Sequence, residues 1–180
     1  MKYFKYLRYL LVHKFWVAVF CFQNGLIWRG LIHDWSKFLL DELIPYVNFF
    51  YGKDGAVHRG AQKSGYYKPS ETDDEKFDFA WLKHQKRNKH HWQWWVLPKD
   101  DGTTLAMKMK HKYVIEMICD WRGAGKAQGF KKDNTKEWYK NNKDKMILHS
   151  ETRKEVEEIL SLLYGEMNNV ISRPSKGKAL

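Results

Sequence analysis

The chain has 180 residues and a mass of 21.7 kDa, the size of one domain with a substantial buried core. Hydrophobic residues at 43% and aromatics at 16% exclude intrinsic disorder as a description of the whole. Lys and Arg outnumber Asp and Glu by 32 to 21, a formal net charge of +11, so an anionic partner is expected, with phosphate the leading group. Cys21 and Cys119 lie in apolar runs and form no CxxC pair. That pattern gives no thiolate metal site or disulfide framework and fits a reducing cytoplasm.

Residues 2–23 contain no Gly or Pro and are apolar on nearly every side, which predicts a first helix surrounded by others. Arg8, His13 and Lys14 interrupt the run, and the uninterrupted piece at 15–22 is too short for a membrane span of ~20 residues, so no membrane partner is expected. Asn24 and Gly25 end this helix. A short helix is predicted over 26–33 and a third over 35–51, kinked or divided at Pro45. Residues 53–72 are rich in Gly, Lys and Ser without periodicity and read as a mobile surface loop. With His58, Arg59, Lys63, Tyr66 and Tyr67, that loop is a candidate lid over a phosphate.

A capping box at Thr72–Glu75 predicts a helix running to about residue 95, stopped by Pro98 and the loop 99–104. Further helices are expected over 105–121, ended by Arg122 to Gly125, over 135–143, and over 150–167 with Val156, Ile159, Leu160 and Leu163 on one stripe. Residues 172–180 read as a basic tail. No alternating pattern is long enough to build a sheet, and no repeat is present. The expected fold is therefore all-α, a single compact helical domain over residues 1–171.

The chemistry concentrates in histidines and a few carboxylates. His33 and Asp34 open a His-Asp-x-x-Lys pattern closed by Lys37, and adjacent imidazole and carboxylate donors suit one divalent cation. His13 lies upstream in the predicted buried helix, where an imidazole needs a partner. Downstream, His84, Arg87, Asn88 and His91 fall at i, i+3, i+4 and i+7 on one predicted helix face. His90 is a rival for His91, because the two are adjacent. Glu116 and Asp120 form an i, i+4 carboxylate pair in an apolar stretch, where a carboxylate calls for a partner or a metal.

This order, an isolated His, then His-Asp-x-x-Lys, then further His and a late Asp, resembles the HD-domain superfamily of metal-dependent phosphohydrolases. The resemblance implies an HD-like helical bundle with His13, His33, Asp34 and Asp120 as ligands of a first metal. It implies His84 and His91 on a second metal, with Asp34 bridging. The whole chain is also similar to an uncharacterised bacterial and phage family, through GLIHDWSKF (30–38), WLKHQKRNKHHW (81–92), EMICDW (116–121) and WYKNNKDKM (138–146).

These residues point to hydrolysis of a phosphoester or phosphoanhydride with one or two divalent cations, Mn, Fe, Ni, Co or Mg. Lys37, Arg87, Arg122 and Lys126 are the candidate phosphate partners, and Asn88 a residue that orients substrate or water. Glu116 is either a proton acceptor or a partner that holds a ligand imidazole. Trp138 and Tyr139, among Lys136, Lys140, Lys143 and Lys145, are candidates for base or sugar recognition, with core packing or a solvated helix surface as the alternative. Three function classes follow: a phosphohydrolase acting on a nucleotide, as monoester or as cyclic or linear diester; a protein that sequesters a nucleotide without cleaving it; and a basic nucleic-acid-binding protein. For a phage protein, the first would degrade a nucleotide signal of host defence.

Overall fold

A computed structural model of the chain describes residues 1–63 and 73–171. The described residues form eight α-helices: α1 (Lys2–Gln23), α2 (Ile27–Ile32), α3 (Leu40–Tyr51), α4 (Gly55–Lys63), α5 (Glu75–Arg87), α6 (His111–Ala127), α7 (Thr135–Asn142) and α8 (Ser150–Ile171). Single 3₁₀ turns occupy Trp35–Phe38, Trp92–Trp95 and Lys143–Lys145. The expected all-α domain is what the chain forms.

Helix α1 is central and packs on α2, α3 and α6. Its buried residues Tyr6, Leu10, His13, Val17, Phe20 and Cys21 recur at the helical period and form one stripe. The sequence expectation of burial on nearly every side is corrected here, since Phe4, Leu11 and Phe15 are exposed. Along the stripe, Tyr6 and Leu10 join a cluster with Tyr46, Val47, Phe49, Phe50, Phe77 and Ala80 from α3 and α5. Val17, Phe20 and Cys21 join Cys119 of α6. His13 therefore sits between two apolar clusters, and a third, around Val114, Met117, Tyr139, Val156 and Leu160, ties α6 to α7 and α8.

The α1–α6 crossing depends on Gly123, where a Cβ would fall 2.4 Å from Cγ2 of Val17. This contact explains why α6 runs through Gly123 and Gly125 to Ala127 instead of stopping near 121: close packing overrides the low helix propensity of glycine. Helix α6 also begins later than expected. Residues 104–106 form strand β2 (Thr104–Ala106), paired antiparallel with β1 (Val96–Pro98) in the register Val96↔Ala106. Gly102, at φ 82°, makes the turn of this two-stranded ribbon.

Four further expectations are corrected. Helix α4 occupies Gly55–Lys63, inside the segment read as a loop; His58 stacks on Phe49 and Arg59 donates to the Phe50 carbonyl. Tyr66 and Tyr67 lie outside the described residues. The N-cap of α5 is Asp74, whose side chain accepts from the Phe77 amide, and Thr72 also lies outside the described residues. Helix α3 continues through Pro45. Its α5 neighbour ends at Arg87 because Asn88 adopts an extended conformation and caps the helix, its amide and Nδ2 both donating to the His84 carbonyl. Among the described residues no helix is long and apolar enough to cross a membrane.

Candidate metal centre

Asp34 lies between α2 and the 3₁₀ turn with φ 51° and ψ 28°, a left-handed conformation that aspartate tolerates better than most residues. The Lys14 ammonium donates to the His33 carbonyl immediately before it. This sharp corner places the His33 and Asp34 side chains side by side, with His33 Nε2 3.4 Å from Asp34 Oδ2. Both residues are almost fully buried.

The two oxygens of Asp34 face two different groups of donors. Oδ2 lies 3.7 Å from His13 Nε2 and 3.4 Å from His33 Nε2, and Asp120 Oδ1 closes the group at 3.1 Å from His13 Nε2 and 3.3 Å from His33 Nε2. Oδ1 lies 3.4 Å from His84 Nε2 and 3.3 Å from His90 Nε2, and His91 Nε2 is 2.8 Å from His84 Nε2. Each set of four donors could hold a metal ion. Ligand bonds of about 2.1 Å give donor–donor edges of roughly 3.0 Å in an octahedron and 3.4 Å in a tetrahedron, and the observed spacings cluster around these values.

Several of these donor atoms are also unsatisfied within the protein. Nε2 of His13, His33 and His90 and both oxygens of Asp34 are buried without a hydrogen-bond partner of good geometry. Lys37 Nζ makes an ion pair with Asp34 Oδ2 at 2.7 Å, whereas Oδ1 faces the imidazoles of His84 and His90. Buried polar atoms in this number and convergence are costly unless something binds them.

A second layer of side chains fixes the rings. Glu116 Oε1 lies 3.2 Å from His33 Nδ1 and 3.4 Å from His90 Nδ1, while Arg29 Nε donates to Oε2 at 2.7 Å. Glu42 Oε2 lies 2.9 Å from His84 Nδ1 and accepts from Ser36 Oγ at 3.0 Å. Arg87 donates to Glu42 Oε1 at 2.8 Å and to both oxygens of Asp41. A carboxylate on Nδ1 turns Nε2 toward the centre and selects the tautomer that can ligate.

The metal-free electrostatics follow from this packing. Burial opposes charge on His33, but the carboxylates of Asp34, Asp120 and Glu116 outweigh it and push its pKa up to about 10. Burial opposes charge on Asp34 and Asp120 as well, yet the surrounding imidazoles, with Lys37 at Asp34, hold both well below the usual carboxylate range. His84 and His91 are held well below the ordinary histidine range, by burial first; the Asp34 carboxylate acts against this at His84. Burial works against the Lys37 ammonium, and the Asp34 carboxylate more than restores it.

The structure brings together His13, His33, Asp34, Asp120, His84, His91 and Lys37, and adds His90 beside His91. His84 and His91 do not share a helix face as the spacing suggested: the chain leaves α5 at Asn88, and the turn that follows delivers both His90 and His91. Glu116, the residue with two expected roles, is enclosed by Arg29, His33 and His90.

Other candidates are engaged elsewhere. Arg87 is bound to Asp41 and Glu42, and Asn88 Nδ2 donates to Ser36 Oγ and the His84 carbonyl. Arg122 donates to Asp133 and stacks on Phe20; Lys126 donates to the Lys131 carbonyl. Tyr139 is core, stacked on Trp121, and Lys143 pairs with Glu157. Trp138 lines a cavity of about 1000 Å³ whose wall also includes His13, Lys37, His90, His91 and Asp120. Sequence reasoning missed Arg29, Glu42 and Ser36. Arg29 left a signal, the one charge in the run 25–32, whereas Glu42 looked like an ordinary acid in a helix's first turn.

Residues 2–162 match the family described as "Family of unknown function (DUF5662)". No curated protein and no solved structure matches the chain.

Proposed function

The chain belongs to the family DUF5662, and we propose that it is a phosphohydrolase that uses two divalent cations and acts on a nucleotide. One observation carries this reading: Asp34, buried at the centre, turns one carboxylate oxygen to each of two donor sets. His13, His33 and Asp120 would hold one cation, His84, His90 and His91 the other. Imidazole-rich sets favour Mn, Fe, Co or Ni over Mg, which prefers oxygen donors.

When bound, the cations supply Lewis acidity toward a phosphoryl oxygen and a more acidic water. The chain's own residues do the rest. Two ligating carboxylates, Asp34 and Asp120, leave the positive charge of two divalent cations in excess, which selects an anion. Lys37, whose ammonium reaches the cavity beside Asp34, adds positive charge where a phosphoryl oxygen would sit. Glu116 and Glu42 keep the rings in their ligating tautomers. The four indoles of Trp81, Trp92, Trp121 and Trp138 on the cavity wall, with the amides of Gln93 and Asn134, match a base and sugar.

The test is elemental analysis after reconstitution with Mn, Co and Ni, followed by phosphate and diester assays over nucleotides. Two equivalents of metal with metal-dependent turnover are expected. Loss of neither metal nor turnover in Asp34→Asn and Asp120→Asn would overturn the reading.

A further inference from the structure

The large cavity does not end at the metal centre. A second one, of about 430 Å³, shares with it the wall formed by Tyr9, Lys37, Tyr46, Phe50 and Gln128. Both volumes fall in the range of small-molecule pockets, about 300–1,000 Å³. One of the five shared residues, Lys37, places its Nζ 2.7 Å from Asp34 Oδ2. A phosphoryl group placed beside Lys37 would therefore have a chamber on either side of that lysine.

The two chambers also have their own chemistry. Beyond the shared wall, the described residues that line the smaller chamber are Tyr6, Leu10, Tyr51, Ala56, Arg59, Gly60 and Ala127. Among the described residues its basic groups besides Lys37 come down to Arg59, which already donates to the Phe50 carbonyl and lies over the Tyr51 ring. A polyphosphate arm would need several free cations, and these walls offer tyrosine rings instead. A phosphomonoester would leave this chamber without a ligand group to fill it.

We propose that the substrate is a phosphodiester whose two ester arms both carry rings, one arm in the large tryptophan-lined chamber and the other in the tyrosine-lined chamber across Lys37. This deepens the hydrolase reading and rests on it. In the reaction, water forms a new P–O bond, the P–O bond to one arm breaks with its electron pair leaving on that oxygen, and a proton from the water ends on the departing alcohol. The products are a monoester and an alcohol, and no oxidant or further reactant is required.

Gly60 offers the means of closing the second chamber alone, because a Cβ there meets nothing within 4 Å, and replacing glycine in helix α4 does not oppose the helix. Binding to the Mn-loaded protein is measured by calorimetry with two inert anions of equal charge, methyl(phenyl)phosphinate and diphenylphosphinate. The wild type is expected to bind the diphenyl compound at least tenfold more tightly, and Gly60→Trp to reduce that ratio to less than threefold. Turnover is compared in parallel with 4-nitrophenyl phosphate and bis(4-nitrophenyl) phosphate.

Preference for the diester, lost in Gly60→Trp, supports the proposal. Hydrolysis of the monoester with no diester preference and equal phosphinate affinities overturns the two-armed substrate and leaves the hydrolase standing. No hydrolysis of either compound removes the hydrolase reading and this proposal with it.

Discussion

Glu116 places one carboxylate oxygen, Oε1, 3.2 Å from Nδ1 of His33, and that oxygen also faces His90 at 3.4 Å. His33 belongs to one donor set and His90 to the other, so a single buried carboxylate faces an imidazole in each. Arg29, reaching in from α2, holds the far oxygen. Glu42 is different in kind, since His84 is the one imidazole it touches among the described residues.

The two holders therefore predict different metal-binding defects. Arg29→Met and Glu116→Gln should weaken both sites, by about 10- to 100-fold each as for other partners of ligand histidines. Glu42→Gln should loosen only the equivalent held by His84, His90 and His91. Competition against a chromophoric chelator resolves the two equivalents; uniform weakening in Glu42→Gln, or none in Arg29→Met, would contradict the assignment.

Asp34→Asn tests the bridge itself. Asparagine tolerates the left-handed backbone at this position and keeps nearly the same volume, so helical content by circular dichroism should match the wild type. Its amide lacks the charge and offers only one oxygen to two sites. Metal content should fall from two equivalents to less than half of one by elemental analysis, and a variant that retains both would show that Asp34 bridges nothing.

The metal-free protein should be most stable near pH 6.5. His84 and His91 are held neutral in the fold, with pKa values below those of the unfolded chain. Below pH 6.5 the unfolded state binds more protons at these two residues, and stability falls with acid by up to about 1.4 kcal/mol per proton and pH unit. His33 has the opposite sign: its folded pKa is about 10, so its contribution is complete below 6.5 and is lost as pH rises from 6.5 toward 10. Asp34 and Asp120, depressed in the fold, lose theirs only below the ordinary carboxylate range. Urea midpoints between pH 5 and 9 should trace a maximum, and saturating Mn should flatten the alkaline limb because a ligated His33 binds no proton. A metal-free curve that rises steadily to pH 9 would contradict the carboxylate cage around His33.

Lys37 pairs with Asp34 Oδ2, so in the proposed centre it would compete with a metal for that oxygen. Removing it in Lys37→Met should leave metal content unchanged or raise affinity, while turnover drops by about 100-fold through loss of a charge positioned for the transition state. Parallel metal and kinetic titrations separate the two effects. Equal loss of both would make Lys37 a packing residue.

The fold class was legible because α1, α6 and α8 announce themselves through long apolar periodicity without internal proline. The candidate donors His13, His33, Asp34 and Asp120 were legible too, as polar residues in apolar surroundings that need partners. Two things were hidden. The end of α5 depends on Asn88 folding back onto the His84 carbonyl, and helical phase alone carried the reading past it, so His90 was left as a rival to His91 when both converge. The role of Glu42 depends on α3 and α5 lying side by side, with His84 forty-two residues away, and no local pattern encodes that pairing. The small ribbon at 96–106 was invisible for a related reason: three-residue strands are too short for alternation to show.

Gly123 links the fold to the site, because the contact of its helix with Val17 sets the distance between His13 on α1 and Asp120 on α6, 3.1 Å between Nε2 and Oδ1. On an exposed helix Gly→Ala would stabilise by about 1 kcal/mol. Here the new Cβ would lie 2.4 Å from Val17 Cγ2 and 3.1 Å from the Val17 amide nitrogen, so the helices must separate, at a cost of about 1–3 kcal/mol. Metal affinity should fall with the separation. Val17→Ala removes the methyl that clashes but leaves the backbone contact, so the double variant should recover part of the stability and part of the affinity together. Thermal midpoints and chelator competition on the single and double variants check this coupling; recovery of stability without recovery of affinity would show that the crossing and the metal centre are independent.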